Sequence, residues 1–219
     1  MGIVFIFDQL SEGRGQRSEV RSQKTEVRDQ RTEIGGRMMD EGGQNSTQLR
    51  MTVYASLMAA LTAAGSYLAI PIGPVPIVLQ NLFIFLSGLL LGRRWGVVSV
   101  TVYILVGACG LPIFSIGRGG IGHILGPTGG YLIGYIPAVY LIGIISEKTG
   151  HRSVYDVIAM ICGSIIIYAC GITWLKILTG MTFSKTLFVG MYPFLPGDAL
   201  KIAAAVPIAK AIRPVIRAR

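Results

Sequence analysis

Between Asp156 and Lys176 the chain carries no charged residue. Taken as a helix from Val154 to Leu178, this run crosses the roughly 30 Å hydrocarbon core of a bilayer at about 1.5 Å per residue. Five further apolar stretches accompany it: 51–70 (MTVYASLMAALTAAGSYLAI), 77–92, 95–114, 129–146 and 195–212, the second and last being short or polar. The expectation is an all-α membrane protein, a bundle of six transmembrane helices. With 52% apolar and 14% charged residues and a mean hydropathy of +0.59, a soluble domain is disfavoured.

The charges sort into two classes. Residues 1–50 hold 8 Lys/Arg and 8 Asp/Glu, so the net +9 lies wholly in the apolar part, whose only carboxylates are Glu147, Asp156 and Asp198. Arg50, Arg93, Arg94, Lys148, Arg152, Arg213, Arg217 and Arg219 fall in the terminal flanks or in alternate loops. By the positive-inside rule both termini are expected in the cytoplasm, with the chain a multi-pass protein of the cell membrane. Cations at the ends of apolar segments meet anionic lipid, and no nucleic-acid partner is expected.

Residues 1–47 read differently. A seven-residue repeat runs from Arg17 (RSEVRSQ, KTEVRDQ, RTEIGGR), but each repeat offers one apolar residue, Val20, Val27 or Ile34, so no coiled-coil seam exists. GIVFIF is too short for a signal-peptide core and precedes the charges. The expectation is a polar, disordered extension of 1–47 before a membrane domain of 48–219. The Met38–Met39 pair further suggests a native start downstream of Met1.

Three outward connections then converge: Pro-rich 71–80, Gly-rich 117–131 (GRGGIGHILGPTGGY) and the segment ending in PFLPGD. Irregular backbone at membrane depth is tolerated where it is buried in protein or lines a cavity, so an external binding pocket is expected. The glycines serve either as a pocket wall that brings backbone groups against a ligand or as a tight connection. Thr128 is a plausible helix N-cap, with Tyr131 one turn in. Gly117, Gly119 and Gly122 spell G-x-G-x-x-G, but no strand-turn-helix surrounds them, so no dinucleotide site is expected. No phosphate-binding P-loop occurs, so ATP-driven work falls to a partner.

Asp198 is the one carboxylate at the mouth of a span, and Lys201 follows at i+3 on the same face. The two form either a structural ion pair or a ligand contact. His123 stands alone in its loop, and Gly150 separates Glu147 from His151, so no metal site is expected. Cys109, Cys162 and Cys170 are expected as buried free thiols. Ala55, Ala59 and Ala63 form a small-residue stripe, facing either the bundle or a partner helix. With no paired nucleophile and base and no H-E-x-x-H, an enzyme is not expected.

In order, IPIGPVPIVLQNLF, LLLGRRWG, GLPIF, GGIGHILGPTGGYLIGY and FLPGDALK closely resemble the BioY family, biotin-binding S components of energy-coupling factor (ECF) transporters, over residues 51–213. The resemblance implies a six-helix vitamin-capture subunit without a cofactor, partnered by a transmembrane coupling protein and two ATPase subunits. It turns the Ala55, Ala59 and Ala63 stripe towards that coupling protein. It also implies a biotin site drawn from Asp198, Lys201 and the loop that carries Gly120, Thr128, Gly129 and Tyr131; Gln80 and Arg118, in the neighbouring external connections, are candidates from their own chemistry and not from the resemblance. A carboxylate and an ammonium three residues apart complement the ureido ring, Tyr131 can cover its apolar neighbour, and Arg118 or loop N–H groups can meet the valerate carboxylate.

Overall fold

The computed structural model describes residues 46–70 and 77–217. The expectations for residues 1–45, and the Pro-rich part of the first external connection, fall outside these residues. The chain divides into two units, Met1–Arg50 and Met51–Arg219. Of the first, residues 46–50 are described and are helical.

Helix α1 covers residues 46–67. Strands β1 (Ala69–Ile70) and β2 (Ile77–Val78) pair antiparallel, with Ala69 opposite Val78. Apart from this two-residue pair, the regular structure of the described residues is helical, in keeping with an all-α chain. Helices α2 (Gln80–Ala108), α3 (Ile121–Ile124), α4 (Gly129–Lys148), α5 (Ser153–Thr179), α6 (Phe183–Gly190) and α7 (Leu195–Arg217) follow. Among the described residues, α2, α4 and α5 are long and apolar enough to cross a membrane.

Helix α2 is broken at Gly92, whose φ of 75° no residue with a Cβ adopts comfortably. In a straight helix Ser87 and Gly96 stand about 13 Å apart. Here a Cβ on Gly96 would lie 2.9 Å from the Ser87 carbonyl oxygen, so the two halves of α2 fold against each other. The break precedes Arg93 and Arg94, where the sequence separates its second and third apolar stretches.

Helix α4 packs most extensively against α5 and α2. Small residues let the backbones approach: Gly134 lies on Ile167 and Cys170, and Gly143 lies on the Arg93 backbone. Helix α5 ends at left-handed Gly180, whose N–H donates to the Lys176 carbonyl over 2.9 Å. The Ala55, Ala59 and Ala63 stripe is a correction. Ala55 and Ala59 are buried in the hydrophobic core and Ala63 packs half-buried against it, so the stripe faces inward and not towards a partner. Ser56, Ala60 and Ala64, one position along, are exposed. Cys109 is exposed as well, not buried as expected, while Cys162 and Cys170 are half-buried.

A buried ionic cluster ties α2, α4, α5 and α7 together. Arg213 Nη1 lies 2.7 Å from Asp156 Oδ2 and donates to the His151 carbonyl over 3.0 Å. Its Nη2 donates to Ser146 Oγ, over 3.1 Å, and to the Leu89 carbonyl over 3.4 Å. Ser146 Oγ donates in turn to Asp156 Oδ1 over 2.8 Å. Four elements thus share one charge pair, which is tolerable in a low-dielectric interior because both Asp156 carboxylate oxygens and both Arg213 Nη atoms find partners, leaving only the buried Nε without one. Glu147, beside this cluster in sequence, accepts from the Arg93 N–H over 2.9 Å.

Candidate substrate-binding site

A cavity of about 500 Å³, open mouth included, lies among α2, α4, α5 and α7. Gln80 and Asn81 enter it as the polar first turn of α2, ahead of the apolar residues 82–86. From α4, Tyr131 and Tyr135 reach it together because a spacing of four places them on one face. Thr128 and His123 line it from the connecting segment with Ser115, while Tyr168 and Lys201 come from α5 and α7. Val78, Leu132, Ile167 and Phe194 complete an apolar wall.

The polar groups divide by whether the protein satisfies them. The Tyr131 hydroxyl donates to the Gly190 carbonyl over 2.8 Å, and the Tyr135 hydroxyl to Asn81 Oδ1 over 2.8 Å. Lys201 Nζ donates to Asp198 Oδ1 over 2.8 Å, and the Tyr168 hydroxyl donates to Asp198 Oδ2. Gln80 is the exception: only 1% exposed, it has no hydrogen-bond partner for Nε2. A buried amide donor left unpaired costs about 1–3 kcal/mol, so the cavity carries an unmet demand for an acceptor.

Of the residues expected at the site, Gln80, Thr128, Tyr131 and Lys201 line this cavity. Asp198 does not. It is buried behind Lys201 and Tyr168, and on its other side borders an apolar groove between α5 and α7. Ion pair and site component are therefore one arrangement, since the carboxylate holds two groups that face the cavity. Gly120 lies off the wall, donating its N–H to the Gly107 carbonyl over 2.7 Å. Gly129 is also absent from the wall, because its Cα sits against the Ile124 carbonyl and Trp174, leaving no room for a side chain. Thr128 occupies the N-cap position of α4 without capping it; its Oγ1 lies 3.1 Å from His123 Nε2.

Arg118 opens instead onto an outer basin with Gly119, Gly122, Gly126 and Pro127. His123 borders both basin and cavity. Its ring stacks on buried Phe114 at 5.2 Å between centroids. Burial first, and the Arg118 charge second, hold this imidazole below the usual histidine range. Asn81, Ser115, Tyr135 and Tyr168 were not expected. The first could have been found as the polar neighbour of Gln80, and Tyr135 from its spacing to Tyr131; nothing marks Ser115 or Tyr168.

Residues 38–218 match the BioY family model. A protein named probable biotin transporter BioY, from Pyrococcus horikoshii, is 39% identical over 158 residues, covering 72% of this chain and 93% of that protein. The biotin transporter BioY of Thermotoga maritima is 38% identical over 161 residues, covering 74% and 94% respectively. A crystal structure at 2.1 Å of the S-component for biotin from an ECF-type ABC transporter matches with a TM-score of 0.73. It is 32% identical and covers 77% of this chain and 93% of that one. Sequence and fold agree, and the chain belongs to the BioY family.

Proposed function

We propose that this membrane protein is the biotin-binding S component of an ECF-type uptake transporter, which captures biotin outside the cell and delivers it inward. It is not an enzyme. The observation that carries the reading is the buried, unpaired Gln80 Nε2 in a cavity that also receives the Lys201 ammonium, Asn81 and the Tyr131 ring. A ureido carbonyl meets such donors, and apolar thioether and valerate carbons suit the Leu132, Ile167 and Phe194 wall. Asp198 holds Lys201 and Tyr168 in place for that head group. The Arg118 end is left for the carboxylate.

The reading includes six spans, with the halves of α2 counted separately, and both termini at the cytoplasmic face of the cell membrane, where Arg93, Lys148 and Arg213 cluster. A transmembrane coupling protein with two ATPase subunits empties the cavity, because a site that binds tightly from outside needs an energetic input to release its ligand. That coupling protein meets α1 through outward Ser56, Ala60 and Ala64, which permit close helix approach. Calorimetric titration of the purified protein with biotin, and with thiamine and riboflavin as controls, tests the function. Heat with biotin alone is expected; tighter binding of another vitamin would overturn it.

A further inference from the structure

His123 occupies an unusual place in the molecule. It lines the inner cavity and also borders the second basin with Arg118, Gly119, Gly122, Gly126 and Pro127. The ring is fixed: Phe114 stacks on it, and Phe114 itself is fully buried against Tyr103 with ring centroids 5.6 Å apart. The basin is anchored behind it, where Trp174 Nε1 donates to the Gly126 carbonyl over 2.9 Å. His123 therefore forms the partition between cavity and basin. Its protein partner at this partition is neutral, the Thr128 hydroxyl at Nε2.

The charges around this ring are of one sign. Arg118 presses on it from the connecting segment, and Lys201 of α7 shares the inner cavity with it. The titratable groups of α4 and α5 in that cavity are the Tyr131, Tyr135 and Tyr168 hydroxyls. Asp198, the nearest carboxylate to this group of residues, is taken up by Lys201 and Tyr168. Among the described residues no free carboxylate faces the imidazole. An anion arriving here would find an exposed guanidinium, a ring that becomes a cation on taking one proton, and glycine backbone open to close approach.

We propose that His123 and Arg118 form the carboxylate-recognition end of the cavity, and that capture of a carboxylate ligand is coupled to uptake of one proton by His123. The proton comes from solvent and sits on the imidazole, where it pairs with the ligand's carboxylate; no bond of the ligand changes. In the empty protein, burial and then the Arg118 charge shift the imidazole towards its neutral form. The anion reverses that balance, so affinity rises as the pH falls through the histidine range.

This inference rests on the biotin reading, and the test separates the two. Biotin and biotin amide, which lacks the anion, are titrated calorimetrically into the full chain between about pH 5.5 and 8, where a carboxylate stays ionised and histidine does not stay neutral. Each titration is run in two buffers of different ionisation enthalpy to read proton uptake. Expected for biotin are proton uptake and up to about tenfold tighter binding at the acid end, as follows from a pKa rise of about one unit. The amide should show neither. H123Q should flatten the biotin profile, and R118Q should weaken biotin more than the amide. A flat profile with tight biotin binding, an equal slope for the amide, or a slope retained in H123Q overturns the inference and leaves the function standing. Failure of biotin to bind at any pH overturns both.

Discussion

Lys201 Nζ lies 2.8 Å from Asp198 Oδ1, one turn along the same helix, and the two side chains are 8% and 6% exposed. A charge pair so buried is held by mutual compensation: removing one partner strands the other, at about 3–5 kcal/mol. D198A should therefore lower the midpoint of thermal unfolding sharply, while D198A/K201M, which removes both charges, should recover most of that loss. Biotin affinity should stay low in the double variant because Lys201 no longer reaches the cavity. Equal destabilisation in the two variants would show that the pair carries no buried-charge penalty.

Gln80 predicts the opposite combination. Its Nε2 has no partner to lose, so Q80L, similar in volume and fully apolar, should leave stability unchanged or raise it. Biotin affinity should fall by about 1–3 kcal/mol, roughly 5- to 150-fold in Kd, because the ligand's acceptor then goes unmet. Thermal unfolding and titration on the same preparation read the two effects separately.

These two residues also show what the sequence reveals and what it hides. Apolar length and the placement of Arg93 and Arg94 point to spans and to the break in α2. The residue order from GPTGGY to PGDALK points to the family. Which way a helix faces is harder to read. Ala55, Ala59, Ala60, Ala63 and Ala64 form two small-residue stripes about 100° apart on α1, and spacing cannot tell which one the core takes. The core takes Ala55 and Ala59. Polar spacing likewise pairs Asp198 with Lys201, yet only three-dimensional packing sets Tyr168 of α5 against the carboxylate and turns Lys201 alone to the cavity. The glycines misled for a related reason: flexibility and close packing both select glycine, and Gly129 and Gly130 are there for packing.

Gly130 tests that last point. A Cβ there would collide with Trp174 Cβ and fall 2.6 Å from the Cys170 carbonyl oxygen, so α4 and α5 must separate to admit it. G130A should cost about 1–3 kcal/mol by overpacking. G122A, with nothing within 4 Å of the added methyl, should unfold near the wild-type temperature. Comparable losses in both would contradict the steric account.

Asp156 supports four elements through Arg213 and Ser146. D156A leaves the guanidinium buried without its counter-ion and should cost about 3–5 kcal/mol, comparable to D198A. Asp156 lies outside the cavity wall, so the folded fraction should still bind biotin with near wild-type Kd. Paired unfolding and titration data separate this stability role from the binding role of Lys201.

The remaining prediction concerns pH. Folding lowers the His123 pKa below 6.5, first through burial and then through Arg118, so the unfolded chain takes up this proton at a higher pH than the folded one. The stability contributed by the neutral ring is complete above about pH 6.5 and is lost as the pH falls from there through the folded-state value. Thermal unfolding of the ligand-free protein and of H123Q between about pH 8 and 5 should therefore diverge only on the acid side, the wild type falling faster. Other acid-titrating groups are common to both proteins and cancel in the difference. Bound biotin should shrink the divergence, because a carboxylate beside the imidazole raises its pKa and offsets the cost of its charge. Parallel curves without ligand would mean that the ring titrates as it does in the unfolded chain, and that its place between cavity and basin imposes no electrostatic strain.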